Sequence, residues 1–275
     1  MKFAYIVLCE LRAITKTVHS LYENIIDRYN CDIIIVCQKL DDKDEENILL
    51  FDRNVIYKKM YNKPNPIEYF EKDELNNKHF DNWNSSNCLQ IYINWNEVAK
   101  VLEDFKDKYD YFIQLRTDIS ILFPLPDKEL FENIPFGIYS FDPNYCRTWG
   151  GWVTGVFIHK NYVIDYFKCC NDAIILPNSI EEFVSNTEKC NQENFKIYAM
   201  NKKKLEFKYI KNLNLYFTSE SINSYTTWSI PIIHPKYNVI CKYDNQCEEA
   251  FQNLELWNNG YRWIFINNEI LLSNI

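Results

Sequence analysis

FAYIVL at Phe3–Leu8, a helically spaced stretch at Thr17–Tyr29, and DIIIVC at Asp32–Cys37 decide the fold. A short continuous apolar run suits a strand covered on both faces, as in a parallel sheet. Between the two runs, Val18, Leu21, Tyr22, Ile25, Ile26 and Tyr29 recur at three and four residues, which places them on one helix face. Strand, helix and strand within forty residues make a βαβ unit.

Working outward, Asp41–Phe51 reads as a helix whose early acidic residues suit the positive end of the helix dipole. Asn54–Lys58 reads as a third strand, and residues 61–82, with Pro64 and Pro66, as a long loop. Ser86–Lys108 is the longest helical pattern, with Leu89, Tyr92, Trp95, Ala99, Leu102 and Phe105 on one face. The strand Tyr111–Leu115 then runs into Arg116-Thr117-Asp118, and Pro124 and Pro126 end the segment after it. Further on, Phe136–Phe141 and Trp152–His159 read as strands, Tyr162–Asn171 and Glu193–Met200 as helices, and residues 205–218 and 230–240 as short strands. No internal repeat or low-complexity linker interrupts the chain, so one α/β domain over residues 1–275 is expected.

Composition excludes several classes. With 275 residues, 47% of them hydrophobic, the chain can bury a sizeable core and is not intrinsically disordered. A net charge of −8 argues against nucleic acid and against a polybasic membrane anchor, both of which need a basic face. No apolar stretch reaches the roughly 18 residues of a spanning helix. Met1–Cys9 is too short for a signal segment and is followed by Glu10 and Arg12. Cys9, Cys31 and Cys37 sit in apolar runs, Cys169-Cys170 is vicinal, and no CxxC or zinc spacing occurs. Reduced thiols and a cytoplasmic location (host cytoplasm for a viral chain) are the expectation.

Four stretches can carry chemistry. Arg116-Thr117-Asp118 lies where a buried strand emerges, the edge at which open α/β sheets bind ligands. There Asp118 could hold a divalent metal that clamps a diphosphate, with Arg116 on a phosphate, or the two side chains could form a local ion pair. Trp149-Gly150-Gly151-Trp152-Val153-Thr154-Gly155 gathers three of the five glycines. Gly151 and Gly155 could allow close backbone approach to a ligand, or ease a turn, while Trp149 and Trp152 could wall a sugar pocket. In the turn after the first strand, Arg12 could reach a phosphate and Thr15 or Thr17 could cap the helix, although neither GxGxxG nor GxxxxGK[ST] is present. Asn191-Gln192-Glu193 opens a helix, so Glu193 either compensates the dipole or serves as a general base, with Asp142 and Asp172 as rivals. Of the four histidines, His19 and His159 read as structural, and His234 as an additional metal ligand. Ser-His-Asp and GxSxG patterns are missing, which disfavours those hydrolases.

Taken together, the strand ending near Arg12, Ser85-Ser86-Asn87-Cys88-Leu89-Gln90-Ile91-Tyr92, and Tyr109–Ile119 with its Arg116-Thr117-Asp118 resemble bacterial and viral polysaccharide or lipopolysaccharide glycosyltransferases of GT-A type. In those, Arg-x-Asp takes the place of Asp-x-Asp. The resemblance covers residues 3 to 200. It implies a GT-A-like α/β domain with a mixed central sheet, residues 1–120 forming a Rossmann-like nucleotide-binding half and 121–275 an acceptor-binding half. It implies a UDP- or GDP-sugar donor, a glycan hydroxyl as acceptor of a hexosyl or pentosyl group, and Mn²⁺ or Mg²⁺. Asp118 matches the metal-binding carboxylate, Arg12, Thr17, Arg116 and Thr117 lie toward the nucleotide, Gly151 and Gly155 beside the donor sugar, Trp149, Trp152 and Asp142 toward the sugar or acceptor, and Glu193 at the base position. Arg116 departs from the usual first carboxylate, which opens metal dependence to question. The competing classes are a sugar nucleotidyltransferase, which would release pyrophosphate, and a non-enzymatic carbohydrate-binding protein, which would bind no nucleotide.

Overall fold

The computed structural model describes residues 1–8, 11, 13–39, 42–70, 85–141, 155–186, 192–219 and 231–274, without the side chains of residues 42, 67, 85–88, 192 and 193. β1 (Phe3–Leu8) leads to α1 (Ile14–Leu21), a π-helical turn (Tyr22–Ile26) and α2 (Asp27–Tyr29), then β2 (Asp32–Lys39), α3 (Asp42–Ile48), β3 (Val55–Asn62) and α4 (Pro66–Phe70). Next come α5 (Ser85–Leu102), β4 (Tyr111–Leu115), β5 (Ile119–Ile121), α6 (Lys128–Glu132), β6 (Ile138–Phe141) and β7 (Gly155–His159). The remainder is α7 (Lys160–Ile175), α8 (Ser179–Asn186), α9 (Gln192–Lys202), β8 (Phe207–Ile210), β9 (Leu215–Phe217), β10 (Ile232–Ile233), β11 (Ile240–Cys241), α10 (Asp244–Asn258), β12 (Arg262–Ile266) and β13 (Glu269–Ser273).

Nine strands form one sheet in the order β12-β13-β8-β6-β7-β4-β1-β2-β3. β4, β1, β2 and β3 are mutually parallel, and β7 is antiparallel to both of its neighbours, β4 and β6. The sheet is therefore mixed, as expected, with a parallel block at one end. Every residue of β1 is buried because the sheet is covered on both faces. Phe3, Tyr5 and Val7 pack with Ile33, Ile35, Ile14 and Ile25 on one face. Ala4, Ile6 and Leu8 pack with Ile34, Val36, Leu89, Ile93 and Phe167 on the other. Alternation along the strand thus builds two cores from one apolar run.

Three local expectations change. Helix α1 begins at Ile14, and its N-cap is Ala13 in the left-handed region at φ 51° with no side-chain cap, so neither Thr15 nor Thr17 fills that place. The stretch read as a loop over 61–82 contains the end of β3 and the short α4, whose first residue is Pro66, a favoured residue at a helix start. Beyond residue 240 lie α10 and the β12–β13 hairpin, which sequence patterning did not yield. The hairpin turns at Asn267 and Asn268, both at positive φ (52° and 64°), the requirement of a tight two-residue turn that asparagine meets readily. No helix of the described residues is long and apolar enough to cross a membrane.

Candidate active site

Strand β4 lies between β1 and β7, and its carboxyl end shares an edge with the carboxyl ends of β1 and β2 because these strands are parallel. From that edge the chain turns through Arg116-Thr117-Asp118 into β5. The Asp118 side chain is 2% exposed. Arg116 grips it as a fork, Nε donating to Oδ1 at 2.9 Å and a terminal nitrogen donating to Oδ2 at 2.8 Å. The Lys242 ammonium donates to Oδ2 as well. Burial would raise the Asp118 carboxyl, but the charge and hydrogen bonds of Arg116, and then of Lys242, hold it well below the usual carboxylate range.

Backbone bonds bring these groups together. The Thr218 N–H donates to the Asp118 carbonyl at 2.9 Å, continuing the antiparallel pairing of β5 with β9. The Lys242 N–H donates to the Phe217 carbonyl at 3.0 Å, and Thr218 Oγ1 donates to the Ile240 carbonyl at 2.9 Å. Phe217 also lies under the Arg116 guanidinium, 4.9 Å from its ring centre. Thus β5, β9 and β11 converge on one carboxylate that two cations share. Lys242 is 6% exposed at its side chain, whereas Arg116 is 35% exposed.

Two candidate residues brace this centre from within. Thr17 is fully buried, and its hydroxyl meets the Thr117 carbonyl, with the Ala13 carbonyl 3.2 Å away. A single hydroxyl proton is thereby committed to protein carbonyls, so Thr17 ties α1 to the turn and is not available as a phosphate donor in this arrangement. Gly155 sits opposite Leu115 in the β4–β7 ladder. A Cβ there would lie 2.0 Å from Leu115 Cδ2, so glycine makes room for the side chain that immediately precedes Arg116.

Arg12, Asp142, Trp149, Gly151 and Trp152 lie outside the described residues. Glu193 stands in the first turn of α9, and its side chain is likewise outside them. His234 is buried, takes the Lys236 N–H on Nδ1 at 3.3 Å and stacks on Tyr237 at 4.8 Å, which makes it a brace of the turn between β10 and β11. The metal expected on Asp118 and His234 finds a poor donor set among the described residues. Both Asp118 oxygens already accept from cations, and the described His, Cys, Asp and Glu side chains form no group of three around a common point.

Two features escaped sequence reading. One is Lys242, whose signal was a lysine directly after the apolar Val239-Ile240-Cys241. The other is a buried polar cluster at the carboxyl end of β2. Gln38 pairs in register with Tyr61, whose hydroxyl donates to Asn94 Oδ1, and Gln90 Nε2 reaches the same oxygen at 3.4 Å. Gln38 Nε2 and Gln90 Oε1 find no hydrogen-bond partner among the described residues. An unmatched buried donor and an unmatched acceptor therefore stand near the sheet edge that carries Asp118.

A scan against protein-family models finds no match, and a search of curated proteins finds no relative. Among solved structures, mouse xyloside xylosyltransferase 1 is similar in shape at a TM-score of 0.43 and 11% identity, over 76% of this chain and 85% of that one. A glycosyltransferase involved in glycosylation of the major capsid of PBCV-1 gives 0.37 and 13%, over 78% and 84%. A cytidylyltransferase from Leptospira borgpetersenii serovar Hardjo-bovis gives 0.37 and 9%, over 93% and 86%.

Proposed function

We propose that this chain is a glycosyltransferase that moves a sugar from a nucleotide-sugar, a UDP- or GDP-sugar, to a glycan hydroxyl. The observation that carries the reading is the Arg116–Asp118–Lys242 centre, with its guanidinium fixed by a buried carboxylate, at the carboxyl end of β4 beside the end of β1. Such an edge receives nucleotides in open α/β sheets, and a fixed guanidinium complements a diphosphate. The unmatched Gln38 Nε2 and Gln90 Oε1 add a donor and an acceptor of the kind a nucleobase edge requires.

In the reaction, the acceptor oxygen bonds to the anomeric carbon while the bond from that carbon to the phosphate oxygen breaks. Negative charge grows on the departing nucleoside diphosphate. Arg116, aimed by Asp118, stabilises that charge without reorganising. If configuration inverts, Glu193 takes the proton of the acceptor hydroxyl, and Trp149, Trp152 and Asp142 receive the sugars. Arg12 and Gly151 adjoin the donor in the same reading.

The test is a melting series with UDP, GDP, CMP and their sugar conjugates. A nucleotide at a hundred times its Kd adds about 2.7 kcal/mol to folded-state stability, so one base family should raise the melting temperature by several degrees. Absence of any shift at millimolar nucleotide would leave the transferase reading without its donor. Pyrophosphate release in place of sugar transfer would favour a nucleotidyltransferase.

A further inference from the structure

We infer that Lys242 does at Asp118 what a divalent cation would otherwise do, so that donor binding in this protein is independent of metal. This inference rests on the nucleotide-sugar reading and adds a positioning residue to it. A divalent ion at a carboxylate needs the oxygen lone pairs and several further oxygen ligands. At Asp118, Oδ1 faces Arg116 Nε at 2.9 Å, while Oδ2 takes both a terminal nitrogen of Arg116 and the Lys242 ammonium. A metal ion entering there would meet a buried ammonium at close range, and the two positive charges would repel in a site of low polarity.

The Lys242 position is built rather than incidental. Its side chain comes from 124 residues further along the chain, and it is held by its own N–H on the Phe217 carbonyl and by the Thr218 bridge to Asp118. Its side chain is buried, with the ammonium over the Phe217 ring at 6.0 Å from the ring centre. Lysine takes the place of the cation inside the centre, and the more exposed Arg116 guanidinium is the group that meets a diphosphate. That leaves Asp118 with a single task, the aiming of Arg116.

Two measurements test this. In the first, nucleotide affinity of the wild-type protein is compared in excess EDTA and in excess Mn²⁺, and equal affinities are expected. Binding that appears only with Mn²⁺ would overturn the inference and leave the transferase reading intact. A protein that binds no nucleotide in either buffer would overturn the transferase reading instead. In the second, free Mn²⁺ is followed by its electron paramagnetic resonance signal as the wild-type protein is titrated without nucleotide. Wild type should leave the signal unchanged. Lys242→Ala, which takes one of the two cations from Asp118 Oδ2 and leaves Arg116 there, should lose nucleotide affinity at least ~tenfold in EDTA and recover it with Mn²⁺, for which the bound diphosphate supplies further oxygen ligands. Stoichiometric Mn²⁺ binding by wild type, or unchanged nucleotide affinity of a folded Lys242→Ala protein in EDTA, would overturn the inference. A structural role alone would not make the variant's nucleotide affinity depend on Mn²⁺. Should Lys242→Ala fail to fold, Lys242→Met serves in the same affinity measurement, and the wild-type comparison stands in any case.

Discussion

Asp118 and Glu97 each sit between two cations, and their surroundings separate a candidate site from a strut. Glu97, on α5, accepts from Lys59 at 2.7 Å, Lys100 at 2.6 Å and the Tyr69 hydroxyl at 2.7 Å. Burial pushes its carboxyl up, but the hydrogen bonds of Lys100, Lys59 and Tyr69 outweigh that and bring it down to about 2. Asp118 is held down in the same manner by Arg116 and Lys242. The chemistry is alike and the placement is not. The partners of Glu97 come from the middle of β3, from α4 and from its own helix, so the cluster pins α4 and α5 to the flank of the sheet. The partners of Asp118 converge on the carboxyl end of a central strand, where ligands enter. A depressed carboxylate alone therefore does not mark a functional site, and it is the place of Asp118 on the sheet edge that makes it the candidate.

The largest effect should follow from Asp118→Ala. It removes the group that aims Arg116 and breaks the buried pair with Lys242, at a cost of about 3–5 kcal/mol in a urea melt. Sugar transfer should be lost. Adding Lys242→Met should restore most of the stability and none of the transfer, which separates folding from catalysis. Transfer at the wild-type rate by Asp118→Ala would erase the distinction between the two carboxylates.

Glu97→Gln should cost about 2 kcal/mol, the scale of a hydrogen bond to a charged group, and leave nucleotide binding unchanged. Its pH dependence gives a second reading. The folded carboxyl titrates near 2, below its ordinary 4.5, so its stabilisation is present above about pH 4.5 and fades as pH falls toward 2. Glu97→Gln should lack that portion of the acid slope in melts taken across this window. A variant that lost nucleotide affinity together with stability would give Glu97 a place in the site.

A smaller effect is expected at the brace between sheet and site. Gly155→Ala must displace Leu115, at a cost of about 1 kcal/mol or somewhat more, and the shift should reach Arg116 as weaker nucleotide binding. Isothermal titration beside a thermal melt measures both. Lost stability with unaltered affinity would show that β7 supports the fold without supporting the site.

The βαβ start, the strand Tyr111–Leu115 and the Arg116-Thr117-Asp118 turn were legible in the chain because each depends on neighbours a few residues apart. Apolar runs covered on both faces, a helical repeat, and a polar tripeptide after a buried strand all declare themselves locally. Thr17 shows where that legibility ends. A threonine near a helix start reads as a cap, and only the packing of α1 against the turn turned its hydroxyl to the Thr117 carbonyl. Gly155 reads as a ligand contact, yet it is the facing Leu115 that requires it. Lys242 is the sharpest case. Nothing within several residues of it mentions Asp118, and the pair exists because β9 and β11 carry the lysine back across the sheet edge. Local pattern determined which segments become strands and helices, since burial and period act over a few residues. The tertiary structure alone decided which charges meet, because an ion pair is set by distance in space and not by distance along the chain.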